Sequence, residues 1–323
     1  MKTVYLLICV LFFYFSCLEK KTTKKEINTT EIVAATEADT LKFTSGVRAI
    51  FRDSKGNFWF GSLQEGVAMY NGKSFVYFTQ NEGLTDNQIH SIQEDAQGRI
   101  WLNTQRGVSH YDGTTIKGYT VADIEKSQTN FLSPTNAPAK SEWRKTDSDL
   151  WFEAGNNEGV CRFDGQKLHY LAFPPQKKLS PNENLFAVTS IAKGKRNMIW
   201  FATYAGVFGY NGYTFTIIND ETLGFDRKVA PLHIRSIFED SKGRLWIGNN
   251  GIGVLLKEGD SVVNFSERQH LIHPNSKRKG DKSPSGTLEH VFTIAEDSQG
   301  NIWFGDRDAG VWKYDGINMT NYT

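Results

Sequence analysis

Residues 239–253 read EDSKGRLWIGNNGIG, and residues 52–66 read RDSKGNFWFGSLQEG. The same turn, tryptophan and glycine in the same order point to internal repetition, which decides a fold before any single residue suggests chemistry. Working outward, each copy opens on a short apolar alternation: VRAIFRD from Val47, IHSIQED from Ile89, VTSIAKG from Val188, IRSIFED from Ile234 and VFTIAED from Val291. A tryptophan follows twelve residues after each opening, as Trp59, Trp101, Trp200, Trp246 and Trp303. A sixth copy, EWRKTDSDLWFEA at 142–154, has lost part of its turn and keeps Trp151. All six copies continue into a Gly-Val segment with a closing glycine: GVAMYNG, GVSHYDG, GVCRFDG, GVFGYNG, GVLLKEG and GVWKYDG.

Physical chemistry turns each copy into strands. The V-x-x-I alternation is a first strand, and D-S-K-G supplies a turn whose glycine tolerates positive φ. The LWIG-type run is a second strand, G-V-x-x-Y a third, and Asn-Gly or Asp-Gly closes a tight hairpin into a fourth. Four antiparallel strands repeated every 45 residues or so are the signature of a propeller blade. The chain is therefore expected to be all-β, a six-bladed β-propeller of four-stranded antiparallel blades. The blades are placed at about 47–83, 89–120, 142–173, 188–219, 234–266 and 291–323, within a propeller of 41–323. Met319 to Tyr322 is expected as an outermost strand, and the LKF segment at 41–43 as an extra edge strand beside the last blade. The repeated tryptophans are read as core wedges between blades. Cys161 aligns with Ala68 and Ser109 and is read as a small, inert interblade residue.

Composition excludes some functions. With 37 basic and 36 acidic side chains among 323 residues, there is no electrostatic claim on nucleic acid. No apolar run after the N-terminus is long enough to span a bilayer. The N-terminus, MKTVYLLICVLFFYFSC, is a signal-peptide pattern of one lysine, an apolar run, then Ser16 and Cys17. Its ending resembles a bacterial lipobox, which implies that residues 1–17 are a lipoprotein-type signal and that Cys17 is the lipidated anchor. Residues 18–40 are polar, lack glycine and proline, and read as a flexible tether. The chain is expected at the bacterial envelope, lipid-anchored at the outer membrane, on its periplasmic side or at the cell surface. With Cys9 in the signal and Cys17 the anchor, Cys161 has no partner for an intrachain disulfide.

The pattern I-x-E-D-x-x-G-x-[ILF]-W-[IF]-G, followed by G-V-x-x-[YF]-[DN]-G, resembles the two-component regulator propeller repeat over residues 47–323. That family occurs in bacterial periplasmic sensor domains and related standalone proteins, so the resemblance implies a sensor-like binding module. The repeats are more distantly similar to those of streptogramin lyases, which act through a metal, a histidine and a glutamate at the propeller face. Sialidase boxes differ in spacing, since Asp240 to Trp246 spans one residue more and Ser241 follows the aspartate.

Strand order assigns two faces. The D-S-K-G turns and Asn-Gly hairpins are short and uniform on one. The other receives the long connections between blades and the loops between second and third strands, which differ from blade to blade. Variable loops on a rigid ring are where binding usually resides. The candidate ligand-binding residues are His233, His290, Gln88, Arg106, Tyr204, Asn249, Arg307 and Asp308. Gln88, His233 and His290 stand just before a first strand, where they would open on the channel. Two histidines without a matched carboxylate fall short of the three or four ligands of a metal site, so no metal and no cofactor are expected. No P-loop, G-x-S-x-G elbow or H-E-x-x-H pair is present, and no catalytic residue is assigned. The reading is a binding module for an unknown ligand or envelope protein. The alternatives are a lyase or hydrolase at the channel mouth and a structural scaffold.

Overall fold

The computed structural model describes residues 30–31, 40–127, 143, 145–176, 185–225, 232–274 and 282–322. The expected signal, Cys17 and nearly all of the tether lie outside these residues. The chain is a six-bladed β-propeller. Blades one, two, four, five and six each run inner strand, second, third and outer strand as an antiparallel meander. Their inner strands are Val47–Arg52, Ile89–Glu94, Val188–Lys193, Ile234–Glu239 and Val291–Glu296. Blade six ends on Met319–Tyr322, as expected.

Blade three departs from this plan. Its described antiparallel strands are Leu150–Glu153, Gly159–Phe163 and Leu168–Ala172, and Glu125–Ser127 adds a fourth strand in parallel on the outer edge. Thr30–Glu31 likewise extends blade two, pairing with Thr115 and Ile116. Two four-residue helices, Asp220–Leu223 and Phe265–Arg268, follow the outer strands of blades four and five. The LKF segment is a correction: it forms no strand on blade six. Tyr77 of blade one accepts from the Lys42 backbone N–H at 2.8 Å, and Phe43 meets the Tyr77 ring edge-on at 5.7 Å.

The repeated turn has a chemical reason. The Asp53 carboxylate accepts from the backbone N–H groups of Lys55 at 3.0 Å and Asn57 at 2.8 Å, and from the Trp59 indole at 2.9 Å. Asp95, Asp240 and Asp297 hold Trp101, Trp246 and Trp303 in the same way. Gly243 closes its turn at φ 78°, a conformation that costs a side-chain-bearing residue energy. One carboxylate thus shapes the turn and fixes the wedge. In blade four Gly194 replaces the aspartate, and the Trp200 indole donates instead to Glu239 of blade five at 2.5 Å.

Five inner strands carry the same β-bulge. Their ladders skip one residue each, leaving Arg48, His90, Thr189, Arg235 and Phe292 unpaired. A bulge bends the strand and re-aims the extra side chain.

Five junctions between successive blades are packed by continuous apolar clusters. At these junctions Gly61 and Gly248 admit the next inner strand; an added Cβ would stand 2.5 Å from Ile89 and 3.0 Å from a Val291 methyl carbon. Ser54 and Ser241 also donate to Glu94 and Glu296 of the following blade. Blade six to blade one is different. No apolar cluster among the described residues joins them. Val311 is 42% exposed, whereas Val67, Val108, Val160, Val207 and Val254 at the same repeat position are fully buried. Ile50 is 67% exposed against 8% for Ile92 and 5% for Ile237. Within 4 Å, a Cβ at Gly305 would meet only Thr293 of its own blade. Arg52 stands where blades two, five and six carry a glutamate that accepts from the preceding blade, from its turn at Glu94 and Glu296 and from its tryptophan at Glu239. Among the described residues the seam is unsealed.

Candidate functional site

Three repeat positions converge on the variable face. The first is the residue before each inner strand: Gly46, Gln88, Ala187, His233 and His290 in blades one, two, four, five and six. The second, four residues after the wedge tryptophan, opens the loop between second and third strands; in blades four to six it holds Tyr204, Asn250 and Arg307. Backbone bonds tie the two positions together, from Asn250 to the His233 carbonyl and from Arg307 to the His290 carbonyl, each at 2.8 Å. The third is the bulge residue.

Over blades four to six these positions make one polar cluster. The Asn250 side chain bridges the two histidines, meeting His290 Nδ1 at 2.6 Å through Oδ1 and His233 Nδ1 at 3.3 Å through Nδ2. Arg307 Nη1 reaches the same Oδ1 at 3.4 Å. A guanidinium only donates, so the atom facing it is the amide oxygen and the amide nitrogen faces His233. His290 therefore donates through Nδ1 and presents Nε2 as an acceptor, while His233 accepts at Nδ1. Burial lowers the His290 pKa below the usual histidine value, and the nearby Arg307 charge adds to this, so the ring is neutral at pH 7. Tyr204 lies 5.1 Å from the His233 ring and 5.1 Å from the Arg235 guanidinium, joining rim to bore.

The sequence-predicted residues separate into groups. His233, His290, Tyr204 and Arg307 are brought together, and Asp308 pairs with Arg307 at 2.6 Å. Gln88 and Arg106 lie on blade two, away from the cluster; the Arg106 side chain is 72% exposed and pairs with Asp86 at 3.1 Å. Asn249 is fully buried and accepts from the His233 backbone N–H at 3.3 Å. Three residues after its tryptophan, it fills the loop-bracing position held elsewhere by Ser62, Thr104, Thr203 and Asp306. Ser62, Thr104 and Thr203 each bond the carbonyl of the glycine that reopens the strand. Asp306 likewise bonds the N–H groups of Glu289, His290, Asp308 and Ala309.

Sequence reasoning missed the bulge residues, Arg235 above all. Their signal was present: inside V-x-x-I the second residue changes freely while its neighbours do not. It also missed the pairing of the blade-two bulge residue His90 with Glu153 of blade three, Nδ1 to Oε2 at 2.5 Å. Among the described residues no group of three or more His, Cys, Asp or Glu side chains is placed to hold a metal ion.

Comparison with known proteins follows this geometry. The family model of the two component regulator propeller matches residues 42–64, 83–106, 229–251 and 285–308. These segments lie on blades one, two, five and six, the blades that keep the aspartate turn. No curated protein matches the chain. Among solved structures, the extracellular domain of BT3049 from B. thetaiotaomicron, assigned to a hybrid two component system, superposes with a TM-score of 0.58 at 21% identity, covering 88% of this chain and 35% of that one. The chain thus spans about a third of that protein's length. Virginiamycin B lyase from Staphylococcus aureus superposes at 0.55 with 13% identity, covering 89% of this chain and 87% of that one. PorZ, a surface component of the type-IX secretion system of Porphyromonas gingivalis, gives 0.52 at 16% identity, covering 83% and 38%. At these identities the likeness is one of fold.

Proposed function

We propose that the chain is a sensor-like, extracytoplasmic binding propeller, held at the bacterial envelope by a lipid on Cys17, with its site on the rim over blades four to six. The observation that carries the site is the Asn250 bridge, which sets His233, His290 and Arg307 in one fixed pattern of donors and acceptors. Such a pattern on loops over a rigid ring suits recognition of a polar ligand. The extracytoplasmic setting is supported by the leader pattern of residues 1–17 and by the likeness to the extracellular domain of a two component system protein.

Native mass spectrometry of protein isolated from its own envelope tests the binding reading. A co-purifying small molecule is expected on the wild type, with its affinity weakened by about 1–2 kcal/mol when His233→Gln and His290→Gln are combined, the cost of lost neutral hydrogen bonds. Retention of the same molecule at unchanged affinity in the double variant would remove the site. For the anchor, Cys17→Ser is expected to move the protein from the membrane to the soluble fraction, since acyl chains supply most of that affinity. A wild-type protein already free in the soluble fraction would refute it.

A further inference from the structure

Arg235 is half-buried, and its Nε is buried with no hydrogen-bond partner. Its Nη1 is 3.5 Å from the Tyr204 hydroxyl, at the limit of a hydrogen bond. Among the described residues no carboxylate lies within ion-pair distance of it. Three other arginines of this chain are closely matched: Arg99 with Asp95, Arg244 with Asp240 and Arg307 with Asp308, each at 2.6 Å. A partly desolvated cation without a counter-charge is costly to keep.

Its setting is nonetheless built. Arg235 is the bulge residue of blade five, so its side chain leaves the ladder and is re-aimed. One aromatic ring from each neighbouring blade flanks the guanidinium, Tyr204 of blade four and Phe292 of blade six, both at 5.1 Å to the ring centroid. Rings at this range hold the charge by cation–π attraction and leave its N–H edge for hydrogen bonding. Phe292 is itself a bulge residue and 39% exposed, so the guanidinium lies beside a partly solvated ring.

We propose that Arg235 anchors a carboxylate of the ligand. The fork of a guanidinium matches a carboxylate with two parallel bonds. One uncompensated positive charge calls for one negative charge, which a carboxylate supplies and a phosphate dianion exceeds. Arg307 is already neutralised by Asp308 on the same rim. The inference rests on the rim over blades four to six being the binding face.

The test uses acetate as the probe, with sodium chloride at equal ionic strength as control and inorganic phosphate as competitor, read by the backbone amide resonances of Tyr204, residue 235 and Phe292 in the labelled full chain. A saturable shift with acetate is expected, absent with chloride. It should be lost in Arg235→Gln and weakened about ten-fold in Arg235→Lys, which keeps the charge without the fork. Lys117→Gln on blade two should leave it unchanged. The wild-type amide spectrum in each variant establishes that it is folded. Equal acetate affinity in the wild type and Arg235→Gln, or tighter binding of phosphate than of acetate, would overturn the proposal. Loss of the co-purifying molecule in the double histidine variant, alongside no acetate response, would retain the rim as the site and reject the carboxylate.

Discussion

Trp246 and Trp303 occupy one repeat position and meet different surroundings. Trp246 is fully buried between Phe265 and Phe304, and its indole is held by Asp240. Trp303 keeps its bond to Asp297 but is only half-buried, stacked on Tyr322 of its own blade at 5.5 Å. Trp246→Ala should therefore cost about 3–5 kcal/mol through the cavity it leaves. Trp303→Ala should cost well under half of that, because water already reaches the ring. Denaturant unfolding of the two variants gives the comparison, and equal losses would be contrary to these burials. At the same scale, burial pushes the Cys161 thiol up to about 12, so it should alkylate only when the chain unfolds. A native protein labelled at Cys161 within minutes by a thiol reagent would contradict this.

At the scale of the element, the aspartate turn couples the fold to pH. Burial pushes the Asp240 carboxyl up, but the bonds from Trp246 and Arg244 outweigh this and hold it below the ordinary carboxylate value. Asp53 and Asp95 are shifted the same way, also against the opposing effect of burial. A carboxylate depressed in the folded state stabilises above its unfolded pKa, near 4, and that stability is lost as pH falls through the folded value. Thermal melts between pH 5 and 2 should therefore decline, and Asp240→Asn should flatten the decline while lowering stability at pH 7. An unchanged slope would separate this turn from the acid response. The turn itself was legible, since D-S-K-G and a tryptophan at fixed spacing announce it. The bulge was not, because a period-two alternation in VRAI or IRSI does not reveal that Arg48 or Arg235 drops out of the ladder. The histidines were legible by position alone. Their connection through Asn250 depends on a loop that curls back across a junction, which local pattern cannot carry. Asn249 was misplaced for a related reason: its polarity reads as surface, while the loop it braces buries it.

The whole molecule is one junction used repeatedly. At two of the junctions the inner strand lays a β-branched residue directly against the preceding blade's glycine, as Ile89 does on Gly61 and Val291 on Gly248. The rim cluster spans two of these sealed junctions, four to five and five to six, which gives its side chains a rigid base. The repeat count was readable from sequence, but the state of the seam was not. Blade six carries the glycine of blades one and five at Gly305 and the valine of every blade at Val311, and among the described residues only the absence of a neighbour distinguishes them. Stability shows that difference most directly, through the third-strand valines of blades five and six. Val254→Asp places a charge in a sealed junction and should cost several kcal/mol, on the order of 3–5, or prevent folding. Val311→Asp, at the identical repeat position but 42% exposed, should change stability by no more than about 0.5 kcal/mol. Equal, large losses in the two variants would mean that blade six is covered in solution, and would contradict a ring sealed at five junctions and open at the sixth.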